Sequence, residues 1–480
     1  MRLIARRFWL LAGASLIAAP AHADDLREAL TAAYQTNPTL EAARASQRAV
    51  DESVPIARAS GLPSLSGAAS YTEFLQKSAN SFTSPDRAIV GSVSLSVPIY
   101  SGGAVRNSLQ AAETRVQAGQ ADLRGSESGI FSQVVAAYMD VIRDSAVVGL
   151  NRSNVQVLEV NLRATSDRFE IGDLTRTDVA QSQSRLALAR SDTRSAESNL
   201  IASRERYIQV VGKPPVNLQP PPPLAGLPNS PDEAVTIALD NNPDLLAARQ
   251  RTKAAGFDSD AAGAGRMPKV SIFAGADHTD YLGTLGGSSA AGVFAQTSNT
   301  AQAGVRASIP IFSGGLPAAQ QRQAQARENA VMDQEIGVER QVIAQVRAAY
   351  ASQRAANEII ASIQVAVDAA TLSLEGVRAE NSVGNRTILN ILDAEQELLR
   401  AQTQLVSARR NAYVAGFSLL AAMGKAEAQD LGLDGGVLYD PDVNYERVRH
   451  KLSDWSRDPD PVAGATRTVD TPAQDGAIPK

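Results

Sequence analysis

The chain has 480 residues, no cysteine, three histidines and a formal charge of −5. Without cysteine there are no disulfides and no thiolate chemistry. The acidic balance, which deepens once three N-terminal arginines are removed, argues against nucleic acid as a partner.

Residues 1–23 read as a secretory signal peptide. Arg2, Arg6 and Arg7 form a positive n-region, Phe8 to Ala19 an apolar core, and Ala21-His22-Ala23 a small-residue cleavage site. The mature chain is expected to begin at Asp24, outside the cytoplasm, with no lipid anchor because no cysteine follows the apolar core. No later stretch approaches 18 consecutive apolar residues, so any membrane-spanning part is expected to be β.

The rest of the chain is duplicated. Asn37-Pro38 recurs as Asn242-Pro243, Val97-Pro98-Ile99-Tyr100-Ser101-Gly102-Gly103 as Ile309-Pro310-Ile311-Phe312-Ser313-Gly314-Gly315, and Ala136-Ala137-Tyr138 as Ala348-Ala349-Tyr350. Gly172 and Gly384 correspond, as do Gly212-Lys213 and Gly424-Lys425. The first repeat covers 24–212 and the second 231–424, joined by a proline-rich connector over 213–230 that should be extended. A segment over 425–457 is expected to form short local structure. The Pro-, Asp-, Ala- and Thr-rich tail, 458–480, reads as disordered.

Each repeat opens with a helical segment, followed by two stretches of strand character. Ile89, Gly91, Val93, Leu95, Val97 and Ile99 alternate with Val90, Ser92, Ser94, Ser96 and Pro98, and residues 303–311 repeat the pattern. With earlier partners over 63–75 and 268–282, the chain should carry four strands of bilayer length, apolar on one face and polar on the other. Tyr100 and Phe312 would be interfacial aromatics. A small soluble β-sandwich is the alternative that alternation alone allows. Four strands cannot close a barrel, so several chains would have to contribute.

A long helix comes next in each repeat. No proline lies between Pro98 and Pro214 or between Pro317 and Pro441, and Val134, Val141, Val148, Val155, Leu162 and Phe169 recur every seventh residue. Val179, Leu186, Thr193, Leu200 and Tyr207 continue this period on the return segment. The period is that of coiled coils, and a helix over 104–170 would be roughly 100 Å long. Ile171-Gly172-Asp173 and Val383-Gly384-Asn385 should turn each long helix back on its successor. Thr175 and Asp178 have capping-box spacing after the first turn.

This duplicated order of helix, two strands, long helix, glycine turn and return helix resembles the TolC family. The likeness is carried most closely by Val383-Gly384-Asn385-Arg386-Thr387-Ile388-Leu389-Asn390-Ile391-Leu392-Asp393-Ala394 and its counterpart Ile171 to Val179. The segment from Tyr439 to Arg449 is similar to the tail of members serving type I secretion. The resemblance implies a mainly α protein with a β-barrel portion: a homotrimer whose twelve strands form one outer-membrane barrel above a long coiled-coil α-barrel in the periplasm. It implies a passive duct for protein secretion or drug efflux, without enzymatic activity or cofactor. Its partners would be outer-membrane lipid, a periplasmic adaptor and an inner-membrane ABC or efflux transporter.

Residue by residue, the resemblance makes Asp393 a pore-facing carboxylate, repeated threefold at the periplasmic gate. Arg386 would tie the tips together with Thr177 and Asp178 as acceptors. Two positions depart from the family pattern: Asn390 stands where a second pore aspartate is common, and Asn381 where a tyrosine is common. On the residues alone, Asp393 reads equally as solvated helix surface near Glu395 and Glu397, and Arg386 and Asp178 as cap residues. Two other functions compete: a periplasmic coiled-coil adaptor without a barrel, and a single-chain porin. No Walker, zincin or nucleophile-elbow pattern supports an enzyme.

Overall fold

The computed structural model describes residues 25–76, 84–286, 293–433 and 438–478. The signal peptide, and the middle of the loop expected between the third and fourth strands, lie outside these residues. Among the described residues are ten α-helices and four β-strands, in two passes of similar order with one helix following. Helices α1 (Leu26–Thr36), α2 (Pro38–Asp51) and α3 (Ser53–Ala59) lead into strands β1 (Ser64–Glu73) and β2 (Arg87–Tyr100), then α4 (Ala104–Glu170) and α5 (Arg176–Val211). The second pass is α6 (Pro231–Asn241), α7 (Pro243–Gly263), β3 (Lys269–Asp280), β4 (Thr297–Ser308), α8 (Leu316–Ser382) and α9 (Ile388–Ala422), with α10 (Pro441–Val448) following. The two long helices have the same length, 67 residues each, or about 100 Å at 1.5 Å per residue.

Local chemistry explains where the elements begin. Asn37 and Asn242 each cap a helix whose first residue is proline, accepting from the second and third amides, Thr39 and Leu40 in one repeat and Asp244 and Leu245 in the other. Each asparagine also donates its side-chain amide across the fold, to the Val210 carbonyl at 2.9 Å and the Ala422 carbonyl at 2.9 Å. One residue type therefore starts a helix and fastens the end of its repeat's return helix.

The strands form one antiparallel sheet in the order β1-β2-β3-β4. In this register Leu65, Leu95, Ala274 and Ala303 share a row, as do Gly67, Val93, Ala276 and Ala301. Rows on the opposite face carry Ser66, Ser94, Gly275 and Gln302, or Ser96, Phe273 and Gly304. Toward the helices one face is apolar and the other mostly polar, Phe273 excepted; at the far end the first face carries His278, Asp280 and Asn299 instead. A bulge after Pro98, which has no N–H to give the ladder, leaves Ile99 unpaired and sets Tyr100 opposite Val270. The extra residue moves Tyr100 onto the apolar face, at the end nearest the helices. The fourth strand differs from expectation: it ends at Ser308, and Ile309 to Phe312 lie beyond it. Its partner strand begins at Lys269, opposite Ser308, so Pro310 has no neighbour to pair with. Phe312 is 89% exposed and belongs to the connection.

The largest core lies halfway down the helices. Phe131, Val134, Tyr138, Leu200, Tyr207, Leu245, Val346, Phe417 and Leu419 are buried there. Tyr138 and Tyr350, equivalent in the two repeats, donate their hydroxyls to the connector carbonyls of Gln219 at 2.7 Å and Asn229 at 2.9 Å. The seven-residue seam is tight at this level, where Val134, Val141 and Val148 are buried, and opens toward the turn, where Phe169 is 43% exposed. By length and composition, part of α8 is apolar enough to cross a membrane. It keeps Ile336, Ile359, Val365 and Leu372 exposed in the single protomer.

The junctions between sheet and long helices rest on glycine. Gly102, Gly103, Gly314 and Gly315 all have positive φ. A side chain at Gly102 would run into Met267 and come within 3.0 Å of the Ala264 carbonyl, whereas one at Gly314 meets nothing. Gly314→Ala is expected to cost about 1 kcal/mol from the left-handed backbone alone. Gly102→Ala should cost clearly more, read as the larger fall in Tm of the detergent-solubilised protein.

The segment over 425–433 packs back on α4. Arg124 holds Glu427 at 2.8 Å, and Glu127 accepts from the Ala428 amide at 2.5 Å. Burial pushes the Glu127 carboxyl above its ordinary range, against the pull of that amide. The native state therefore keeps this proton to higher pH than the unfolded chain, and stability is lost as pH rises through the ordinary carboxylate range to the raised value. Glu127→Gln keeps an acceptor for Ala428. It is expected to raise Tm at about pH 8 and to lose that advantage near about pH 4, below the unfolded value.

The tail differs from the expected disorder. It has no regular structure, but Asp458 pairs with Arg447 at 2.8 Å, and residues 474–478 lie against α4 and α5. Backbone carbonyls that composition cannot weigh find arginine donors there.

Candidate functional site: the helical tips

Each hairpin turns on a glycine with φ of +84°, Gly172 and Gly384. Asp173 and Asn385 send their amides back to the carbonyls of Arg168 and Glu380, both at 2.9 Å, closing the ends of the long helices. The return helices then start with matching capping boxes. Asp178 takes the amide and hydroxyl of Thr175 on one carboxylate oxygen, at 2.9 and 2.7 Å. Asn390 takes those of Thr387 at 3.2 and 2.9 Å. These bonds hold the Asp178 carboxyl below its usual range, with the Thr175 hydroxyl the main cause. Asn390, at the position where a second pore aspartate is common, spends its side-chain oxygen on the cap.

Within the chain the residues nominated for tip closure do not bond to one another. Arg386 pairs through Nε with Glu380 at 2.6 Å, across its own turn. Asn381, at the position of the missing tyrosine, donates to the Arg386 carbonyl at 2.6 Å. Thr177 is exposed, and Asp178 keeps Oδ1 outside its cap bonds. Arg386, Thr177 and Asp178 are therefore presented at the surface of the tips.

Asp393 lies one turn into α9 and is not a bare carboxylate. Arg185 of α5 donates Nη2 to Asp393 Oδ1 at 2.6 Å and its other terminal nitrogen to Gln396. The pair is part-exposed, with 32% of the arginine and 56% of the aspartate side chain accessible. Beside it is a residue that sequence reasoning dismissed as surface. Glu395 has only 5% of its side chain exposed and ties three helices together. Asn161 of α4 donates to both of its oxygens at 3.1 and 3.0 Å, and Arg378 of α8 to Oε1 at 3.0 Å. Leu392, one turn earlier, packs with Leu158 and Leu186. Glu395, three positions on, shares this helical face with Leu392.

The first turns of α9 are thus held by one exposed ion pair to α5 and one buried carboxylate to α4 and α8. Higher up, Arg410 of α9 grips Asp140 of α4 at 2.8 and 3.2 Å.

Comparison with known proteins shows the family of the chain. The family model described as outer membrane efflux protein matches residues 29–213 and again 234–425. The chain is 33% identical over 444 residues to the outer membrane efflux protein BepC of Brucella suis, covering 92% of this chain and 94% of that one. It is 28% identical over 444 residues to the outer membrane protein TolC of Escherichia coli, covering 89% and 87%. Among solved structures, the Campylobacter jejuni CmeC outer membrane channel superposes with a TM-score of 0.73 over 89% of this chain and 90% of that one, at 15% identity.

Proposed function

The chain belongs to the outer membrane efflux protein family, and from that premise we propose a homotrimer whose gate is set by the first turns of α9. The protein is an outer-membrane tunnel subunit of a tripartite export system, a passive duct without catalytic activity. Family membership sets aside both the adaptor and the porin readings, and the second also fails on the count of strands.

The observation that carries the trimer is the sheet. Four strands with one largely apolar face, one largely polar face and two unpaired edges cannot close alone, and about eight strands is the smallest useful barrel. Three copies supply twelve strands with an open lumen, the apolar rows outward to lipid and the serine rows inward. The exposed apolar side chains of α8 are then covered by a neighbouring protomer. At the tips, three copies of Asp393 line the constriction, each with Arg185 beside it. Arg386, Thr177 and Asp178 are free to bond across protomers and hold the closed state. A periplasmic adaptor and an inner-membrane ABC or efflux transporter open the duct by drawing these contacts apart.

The test is electrical. Purified protein in a planar bilayer should give discrete, small, cation-preferring current steps, and its mass in detergent should be three chains. Folded, helical protein that inserts but runs as a single chain would overturn the trimer. Steps whose ion preference ignores Asp393→Asn would move the gate elsewhere.

A further inference from the structure

The C-terminal tail meets the helices in an unusual way: it is held by its backbone. Arg204 of α5 donates to the carbonyls of Asp475 at 2.5 Å and Ala477 at 2.7 Å. Arg152 of α4 donates to the carbonyl between them, Gly476, at 2.9 Å. Glu205 accepts from the Gln474 amide at 3.0 Å. Three successive carbonyls and one amide are therefore read by side chains of two helices, much as a receptor reads an extended peptide. Charge-assisted bonds of this kind are the stronger class of hydrogen bond.

The helices also impose one steric requirement. A Cβ at Gly476 would come within 2.9 Å of the Glu197 Cβ and 3.4 Å of its Cα, which lie in the body of α5 and cannot swing away. Glu197 is itself fixed by Arg152 at 2.7 Å and Arg194 at 2.8 Å. Further along, Ile478 packs at the edge of the main core. Between its two attachments the tail passes close to Glu41 at Gly464 and to Gly212 at Thr466. It bridges a cavity of about 570 Å³ lined by Thr36, Asn37, Glu205 and Gln209 below and Thr466 and Thr471 above. A strap tied at Asp458 and at 474–478, with space beneath its middle, can be lifted at one end without disturbing the helices.

We propose that the face of α4 and α5 formed by Arg152, Glu197, Arg204 and Glu205 is a docking site for an extended peptide segment. The chain's own tail fills it in the free protein, and a segment of a periplasmic partner with a small residue flanked by an acidic one replaces it on assembly. That replacement rests on the tripartite reading above; the peptide site does not. Because recognition runs mostly through the backbone, the site tolerates different side chains beyond the small residue and the acidic one, whose carboxylate lies 3.4 Å from Arg204. The tether gives the tail an effective concentration in the millimolar range, so weak contacts keep it seated until a competitor is held nearby. Arg152 is 18 residues before the end of α4, about 27 Å from the tip. A partner gripping the tip region would pass this face.

A fluorescent peptide of residues 470–478, titrated by anisotropy into the full-length protein in detergent, tests the site. Gly476→Leu in the chain should expel the tail and expose the face. We expect saturable peptide binding to this variant at least tenfold tighter than to wild type. Binding should be lost in Gly476→Leu/Arg204→Ala, and a peptide carrying leucine at 476 should not bind. Hydrogen exchange on Arg204→Ala alone gives a second reading: the Gln474 and Ala477 amides should exchange freely while those of α4 and α5 stay protected. No saturable binding to Gly476→Leu, equal binding to it and wild type, or indifference to Arg204 would each overturn the proposal. Channel currents of the same variants, recorded in parallel, separate failure of the docking site from failure of the tunnel reading.

Discussion

Glu395→Ala is expected to loosen the start of α9 from both of its long neighbours. The carboxylate is almost fully buried and takes bonds from Asn161 and Arg378. Removing it leaves an asparagine amide and an arginine without their acceptor. A charge-assisted bond at a buried site is worth about 1.5–3 kcal/mol, and breaking a fully buried pair costs about 3–5 kcal/mol. Arg378 is half exposed and recovers part of its loss from water, so we expect about 2 kcal/mol per protomer. The amides around residues 391–398 should exchange faster, and single channels should open longer or wider. Glu395→Gln, which keeps an acceptor for Asn161, should do half as much or less. Unchanged exchange in the alanine variant would mean that the apolar contacts of Leu392 alone hold α9 in place.

The second large effect concerns ion preference. Arg185 neutralises Asp393 at 2.6 Å, so the proposed trimeric gate would present three ion pairs in place of three free carboxylates. Arg185→Ala should leave stability nearly unchanged, because exposed pairs contribute about 0–1 kcal/mol. It should, however, unmask the negative charge at the constriction. A unit charge a few ångströms from a passing ion in water is worth about 1 kcal/mol. A cation gains about that much and an anion loses it, so the ratio of cation to anion permeability, read from reversal potentials in a salt gradient, should rise roughly thirtyfold. Arg185→Ala/Asp393→Asn should return it to the wild-type value or below. A permeability ratio untouched by Arg185→Ala would place Asp393 away from the narrowest point.

The two results are separable. Glu395 acts on whether the tips move, and Arg185 on what passes while they are open. Arg185 binds Asp393 and Gln396, on either side of Glu395, so the effects of Arg185 and Glu395 on stability are close enough to couple, and a double variant measures by how much.

Much of this fold was legible before any coordinates. The seven-residue seam, the absence of proline and the two Ile/Val-Gly turns point to both long helices, and the first has the expected span, Ala104–Glu170. Serine alternating with valine and leucine marks the second strand, and the strands over 64–73 and 269–280 fall where partners are expected. The last strand was misjudged because alternation continues through Ile309 and Ile311, although nothing is there to pair with. The tail was misjudged because composition weighs side chains, and this segment is held through its carbonyls. At the tips, Gly172, Gly384, Thr175 and Asp178 were read from local rules that act within four residues.

What the sequence by itself determined is everything of short range: period, caps, turns, duplication and the compartment. These follow from forces between neighbours along the chain, and a pattern of residues is enough to express them. What only the tertiary structure decided is which polar residue meets which. Glu395 and Asp393 are two positions apart and look alike in the sequence. The 100° step of the helix sends one into a three-helix junction and leaves the other at the surface beside Arg185, 208 residues away. A contact of that separation depends on how whole helices are stacked and rotated, which no local pattern records.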